Sequence, residues 1–175
     1  MKYIIFLSLG LLSLNLHAQG DAIEKYFQQY IENNDFTVVF ISPKMFQLIS
    51  KLDLNEVDND PEAKLIMETV SDIRGLRVLT TDVNPMERYK EAMQKINTKE
   101  YEVLVTVRDK GENVRIWVKE TDSVVEELLL LVGAVDEFVM LSFVGNIDLE
   151  KISKLANNID VKGAEHLEKV GSDQD

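Results

Sequence analysis

The sequence predicts an α+β protein, built as a single-layer, largely antiparallel sheet of about six strands with helices packed mainly on one face. Strand patterns cluster late in the chain, from Tyr101 to Val144, whereas helical patterns are interspersed with two earlier strands. All three prolines follow a helix-capping residue, which marks three helix starts independently of the hydrophobic pattern. We expect one domain over residues 19–170 and a polar tail at 171–175.

Residues 1–18 are predicted to be a signal peptide. Lys2 supplies the charged start, an overwhelmingly apolar stretch follows, and Leu16-His17-Ala18 resembles the small-residue pattern before a signal peptidase site. The apolar stretch is shorter than the roughly 20 residues of a membrane-spanning helix, and no second hydrophobic span follows it. We therefore expect cleavage near Ala18 and an exported mature chain, periplasmic or secreted, without a transmembrane span.

The cysteine count and the charge narrow the function classes. The sequence contains no cysteine, so we expect neither a lipoprotein anchor nor disulfides, and the core alone must hold the domain together. The chain has 31 acidic and 19 basic residues, and loss of Lys2 with the signal peptide leaves 18 basic residues and a net charge of −13. Nucleic acid and anionic membranes repel such a chain, so neither is an expected partner. Solubility is the simplest interpretation of the charge.

The first third of the chain is predicted to contain two helices separated by a strand. Asp21–Asn33 has the spacing of an amphipathic helix, and Phe36–Ile41 has the composition of a strand. A second helix is expected to begin at Ser42-Pro43. Its predicted buried side carries Met45, Phe46, Ile49 and Leu52.

Two further helices are expected to begin at Asp60-Pro61 and at Asn84-Pro85, with the strand Leu76–Thr81 between them. The first of these is predicted to include Ile73 in its apolar face and to end at Gly75 as a C-cap. In the second, Glu87 stands three residues after Asn84, in the manner of a capping box. The apolar stripe of that second helix is Met86, Tyr89, Met93 and Ile96.

A β-hairpin is expected around the turn Asp109–Glu112, because apolar and polar residues alternate on both sides of it. A one-residue slip would reverse both faces, so the alternation specifies the register. The predicted apolar face pairs Val107 with Val114, Val105 with Ile116, and Val103 with Val118. The predicted mixed face pairs Thr106 with Arg115, Leu104 with Trp117, and Glu102 with Lys119.

The two strands that follow, Glu127–Val132 and Phe138–Val144, are apolar on both faces, which is typical of central or doubly covered strands. A turn at Gly133–Asp136 joins them. A helix capped by Asp148 and a short helix at Ala164–Lys169 complete the predicted elements.

The mixed face of the hairpin is the candidate interaction surface. The only tryptophan of the chain lies there beside basic residues in an acidic protein, a composition found in protein-binding hot spots. The alternative is that the tryptophan packs beneath a helix and the arginines form surface ion pairs, and we favour this alternative. The residues of this candidate face are Leu104, Thr106, Arg108, Arg115 and Trp117.

The sequence offers no strong catalytic or metal-binding motif. Asp53–Asp60 begins like a calcium loop, but Asp58 stands where the glycine belongs and Lys64 replaces the distal glutamate. His166 is the only histidine of the predicted mature chain, and no phosphate-binding or dinucleotide motif is present. We therefore predict no catalytic residue, cofactor or metal. Glu126-Glu127 is predicted to face solvent, and the many carboxylates leave a two-carboxylate hydrolase open.

Four runs of the sequence, which carry no chemical motif, act as family markers. They are IRGLRVL at 73–79, TVRDKGE at 106–112, ELLLLVG at 127–133 and FVGNIDL at 143–149. Together they resemble the domain-of-unknown-function family numbered 4252, over about Phe36 to Val170. The resemblance implies an exported protein of Bacteroidota in a periplasmic or cell-envelope setting, with no assigned activity or site residues. Many members are predicted lipoproteins, and this chain departs from them because it has no cysteine.

These observations lead us to expect a non-enzymatic envelope protein that binds another protein or a small ligand. The alternative is a carboxylate-based hydrolase acting in the envelope, and a third hypothesis is a structural or adhesive component. The sequence does not predict which partner is bound or how many copies of the chain associate.

Overall fold

Six strands form one antiparallel sheet in the computed structural model, which describes residues 22–49, 51 and 71–151. The order across the sheet is β1-β2-β6-β5-β4-β3, so the last four strands are a meander and β2 joins it beside β6. The α+β class and the six-stranded antiparallel sheet are confirmed. The strands are β1 (Thr37–Ile41), β2 (Ile73–Thr81), β3 (Glu102–Asp109), β4 (Glu112–Thr121), β5 (Val124–Gly133) and β6 (Phe138–Gly145).

Two of the helices in the described part pack on one face of this sheet. They are α1 (Ala22–Gln28) and α3 (Pro85–Lys95), whose apolar side chains meet the residues of the strands that alternate onto that face. Tyr89 of α3 lies so close to β5 that a Cβ on Gly133 would be 2.5 Å from its ring, so only glycine fits there. The cluster on this face includes Ile23, Phe27, Ala92, Leu79, Trp117, Leu129, Leu131 and Met140.

The opposite face of the sheet carries a second apolar cluster. The helix α2 (Pro43–Ile49) contributes Phe46 to it. Because both faces are covered, Leu128 to Val132 are all fully buried, and β5 and β6 are central strands as the two-sided apolar pattern predicts. The strands contribute to this cluster Ile73, Val114, Ile116, Val118, Leu128, Leu130, Val139, Leu141 and Phe143.

Two-residue turns connect β4 to β3 before it and to β5 after it. Lys110 and Gly111 have φ values of 34° and 98°, and Asp122 and Ser123 have φ values of 51° and 63°. Left-handed backbone at both central residues is the geometry that matches the twist of paired strands. The turn predicted at Lys110-Gly111 is therefore confirmed.

The predicted register of the hairpin is right near the turn and wrong beyond Val105. Val107 faces Val114, Val105 faces Ile116 and Thr106 faces Arg115, as the alternation predicts. Between Val103 and Val105 the ladder shifts, because Leu104 is an extra residue in β3, a β-bulge. Val103 consequently faces Trp117 and Glu102 faces Val118, in place of the three predicted pairs.

The helix predicted to end at Gly75 does not extend that far. Ile73 already belongs to β2, and Gly75 lies within that strand opposite Val144 of β6. The glycine resembles a helix C-cap in sequence, but pairing with β6 and burial of Ile73 decide its structure.

The two described helix starts after proline are confirmed at Pro43 and Pro85, with two differences in detail. Asn84 has left-handed backbone and makes no side-chain cap; its carbonyl oxygen accepts the N–H groups of Glu87 and Arg88. In α2, Met45 was predicted on the buried side but is 50% exposed, because only Phe46 turns into the sheet.

Two further observations concern the ends of helices. α1 ends at Gln28, before the predicted Asn33, and turns follow it. Asp148 accepts the N–H groups of Glu150 and Lys151 through Oδ1, which confirms it as a helix cap. No helix among the described residues combines the length and hydropathy needed to cross a membrane.

Several predictions lie outside the described residues. They are the signal peptide at 1–18, the segment Asp53–Asp60, the body of the helix that begins at Asp60, His166 with the helix around it, and the tail at 171–175.

Candidate functional site

The predicted interaction face divides into a buried and an exposed part. Trp117 is 2% exposed and belongs to the apolar cluster beneath α1 and α3, which agrees with the favoured alternative that the tryptophan packs beneath a helix. Thr106 and Arg108 are exposed on the edge strand β3, and Arg115 is half-buried. Leu104 occupies the bulge and no longer faces Trp117.

The two arginines of this face are held by neighbours in the same hairpin. The Arg115 guanidinium lies 5.9 Å from the centre of the Trp117 ring, and Arg108 Nε donates a hydrogen bond to Asn113 Oδ1 at 3.3 Å. Burial raises the pKa of Tyr89 on α3, and the positive charges of Arg115 and Arg108 partly offset that rise. The arginines therefore lie within electrostatic range of the helix that covers Trp117.

Glu127 is buried in the sheet, which the sequence analysis did not predict. Its side chain accepts hydrogen bonds from the Tyr101 hydroxyl at 2.5 Å and from the Ser142 hydroxyl at 3.3 Å. The prediction that Glu126-Glu127 faces solvent holds for Glu126 and is wrong for Glu127. Since successive strand residues alternate between faces, Glu127 points to the same side as Leu129, and this parity is the signal that could have found it.

An exposed ion pair lies next to Glu127. Lys119 faces Glu127 across the β4–β5 ladder, and its Nζ forms an ion pair of 2.6 Å with Glu100. The hydrogen bond to Glu100 raises the pKa of Lys119. Glu100 is exposed. Among the carboxylates in the described part of the chain, only Glu127 is buried. A hydrolase with two facing carboxylates would need a second such group.

The strand β1 forms an exposed edge of the sheet that carries apolar side chains. In the described part of the chain it pairs only with β2, and its outer side faces no other strand. Its five residues, Thr37 to Ile41, include no charge, no proline and no bulge. Val39 is 42% exposed and Phe40 is 49% exposed. The centre of the Phe40 ring lies 5.9 Å from the centre of the Phe27 ring of α1. We call this strand the β1 edge.

A cavity of about 500 Å³ lies at the Thr37 end of the β1 edge. Backbone near it is held by the Thr81 hydroxyl, which donates to the Asp35 carbonyl at 2.6 Å and accepts the Val83 N–H. Acidic linings of this kind favour cationic groups. No group of metal-ligating side chains arranged for an ion occurs among the described residues. The acidic residues that line the cavity are Asp35, Asp82, Asp136 and Glu137.

A family model for "Domain of unknown function (DUF4252)" matches residues 27–155. The chain belongs to this family. The resemblance noted in the sequence is therefore confirmed, and the match spans all six strands of the DUF4252 domain. No curated protein and no solved structure matches the chain. The family description assigns no activity, so the function of this DUF4252 domain has to be argued from its own side chains.

Proposed function

We propose that this DUF4252 domain is a non-enzymatic protein-binding module of the cell envelope, and that it binds its partner along the β1 edge. The single observation that carries the proposal is the uncharged, regular and exposed strand Thr37–Ile41 at one end of the sheet. The outer backbone groups of such a strand are positioned to pair with another strand. An extended segment can add to an edge of this kind through main-chain hydrogen bonds, with side-chain contacts providing specificity.

The side chains around the β1 edge suit an apolar partner. Val39 and Phe40 are exposed on opposite faces of the strand. The helix α2 follows directly and exposes Met45 and Leu48. Exposed apolar groups gathered at a sheet edge are characteristic of binding surfaces, because a monomer gains nothing by exposing them.

The envelope location rests on the predicted signal peptide at residues 1–18. Its test is fractionation of cells that express the full chain, followed by mass spectrometry of the protein. The proposal expects a mature form that begins near residue 19 in the periplasmic or secreted fraction. A full-length chain in the cytoplasm would contradict it.

The binding surface is tested by photo-crosslinking in the same cells. A photoreactive amino acid is placed at Val39 on the β1 edge or, as the matched control, at Val103 on the opposite edge; both positions are exposed valines in edge strands. We expect defined protein adducts from position 39 and none from position 103. Mass spectrometry identifies the adduct, and the purified partner must then bind the purified domain. Equal adducts at both positions, or none at position 39, would contradict the proposal.

The alternative, a carboxylate-based hydrolase, has Glu127 as its candidate residue because it is buried and held by two hydroxyl groups. The binding module is preferred because Glu127 is the only buried carboxylate among the described residues, and a hydrolase of this kind needs a second carboxylate facing the first. Turnover of an envelope ester or glycoside by the purified domain, lost in Glu127→Gln with the fold retained, would favour the hydrolase.

A further inference from the structure

We propose that the partner on the β1 edge is a second copy of this chain. The two β1 strands would pair antiparallel about a two-fold axis at Val39 and join both sheets into one. This inference rests on the proposed function, because it names the partner of the same edge. Isologous pairing of one patch with itself is the commonest way in which soluble proteins form closed dimers.

The strand is complementary to itself in this arrangement. With Val39 on the axis, Thr37 of one copy faces Ile41 of the other, and Val38 faces Phe40. Each facing pair is uncharged, and the half-exposed Phe40 gains an apolar neighbour. Since β1 pairs with β2 in a continuous register without a bulge, its outer side is also regular enough to pair along its whole length.

The charges at the two ends of the strand select the antiparallel orientation. Asp35 precedes β1 and Lys44 follows it at the start of α2, and both are exposed. A parallel pair would bring Asp35 beside Asp35 and Lys44 beside Lys44. The antiparallel pair brings Lys44 of each copy to the end where Asp35 of the other copy lies. The residues between them, 36–43, are uncharged, which keeps like charges of two acidic chains away from the contact.

The other edge of the sheet limits the assembly to two copies. The strand β3 has a bulge at Leu104 and carries Glu102, Arg108 and Asp109, and both devices oppose pairing with another strand. A chain with one open and one guarded edge can form a dimer but cannot extend it into a fibre.

The test uses sedimentation velocity on the purified mature protein and on four variants. We expect the wild-type protein to dimerise in a concentration-dependent way. Val39→Lys places two like charges opposite each other on the axis and is expected to weaken dimerisation at least about tenfold. The matched variant Val103→Lys is expected to dimerise like the wild type. Lys44→Glu, an exposed change outside the sheet, is expected to weaken dimerisation, and adding Asp35→Lys to it is expected to restore dimerisation.

A second measurement uses the absence of cysteine from the chain. Under oxidation, Val39→Cys is expected to form a disulfide-linked dimer on a non-reducing gel, and Val103→Cys is expected to remain monomeric, because only position 39 meets its own copy. Circular dichroism confirms that each variant is folded before it is compared.

The outcomes separate this inference from the proposed function. A wild-type protein that remains monomeric, together with photo-adducts of another protein at position 39, overturns the dimer and leaves the binding edge in place. A dimer that survives Val39→Lys overturns the use of β1. A dimer lost in Val39→Lys but unaffected by Lys44→Glu overturns the antiparallel orientation.

Discussion

The two outer strands of the sheet differ in how they treat their unpaired side. β3 is guarded by a bulge at Leu104 and by charged residues, whereas Thr37–Ile41 on the opposite edge is regular and uncharged. Free edges invite pairing with other chains, and natural sheets usually block them. Only one edge of this sheet is therefore protected against association with another strand, and for this reason we place the binding surface on β1.

The two edges also differ in what covers them. On the side of β1, Phe27 of α1 contacts Phe40, and Arg77 of β2 forms an ion pair of 3.0 Å with Glu24 of α1. On the side of β3, Trp117 on the neighbouring strand lies beneath the helices. The tryptophan that suggested a binding surface therefore belongs to the core, and among the described residues the exposed aromatic side chain is Phe40 on the other edge.

The largest expected effect tests the role of Trp117. Because this side chain is almost fully buried, Trp117→Ala should lower the free energy of unfolding by about 3–5 kcal/mol, measured by chemical denaturation. Val103→Ala, an exposed change on the facing residue of β3, should cost less than about 0.5 kcal/mol. Loss of partner binding in Trp117→Ala with stability unchanged would move the binding surface to the β3 side and reverse the comparison.

An intermediate effect is expected from deleting one residue at each edge. Deletion of Leu104 removes only the bulged residue and keeps the pairs of Val103 and Val105, so it should cost less than about 1 kcal/mol. Deletion of Val39 turns the residues on one side of it to the wrong face and should cost about 2–3 kcal/mol. Denaturation of both deletion variants measures the two costs, and equal costs would mean that β3 and β1 do not differ in regularity.

The smallest expected effect concerns pH and the polar network that links α3 to α1. Burial raises the pKa of Glu91, but hydrogen bonds from Lys95, Tyr30 and Arg88 outweigh it, so the net pKa lies below its ordinary value. Lys95 Nζ also donates to Gln29 just after α1, at 3.0 Å. A lowered pKa in the folded state gives stability that is present above the ordinary carboxyl pKa and is lost as the pH falls through the folded value.

Glu91→Gln should therefore be less stable than the wild type near neutral pH by under about 1 kcal/mol, because these pairs are partly exposed. The difference between the two proteins should shrink as the pH falls below the ordinary carboxyl range. Denaturation at a series of pH values measures it. A difference that is constant with pH would assign the effect to packing between α3 and α1 and not to charge.

The central strands could be predicted from the sequence because their signals are local. Alternation around Lys110-Gly111 and the two-sided apolar runs of β5 and β6 each fix an element within a few residues. The bulge could not be predicted, because Val103 and Leu104 are both apolar and either could continue the pattern. Gly75 resembled a helix end in its local sequence. Its structure is decided by pairing with β6, which depends on residues far along the chain.

The surface that we propose for binding, the β1 edge, could not be identified from the sequence, for a related reason. Which strand becomes an edge depends on the strand order, and that order follows from the pairing of β2 with β6. The spacing of apolar residues along the sequence does not reveal this pairing. The segment Thr37–Ile41 therefore has the sequence pattern of an ordinary strand. The five residues chosen instead were selected for the rarity of Trp117, a property that fits a buried side chain equally well.

The strand order has a consequence for the order in which the chain can complete its sheet. The meander β3–β6 closes through short connections, so each pairing costs little chain entropy, whereas β2 must wait for a strand that begins only at Phe138. During synthesis, β1 and β2 emerge first, and β6, which pairs with β2, emerges as the last of the described strands. The uncharged segment Thr37–Ile41 is thus the part of the sheet that spends the longest time without its final support.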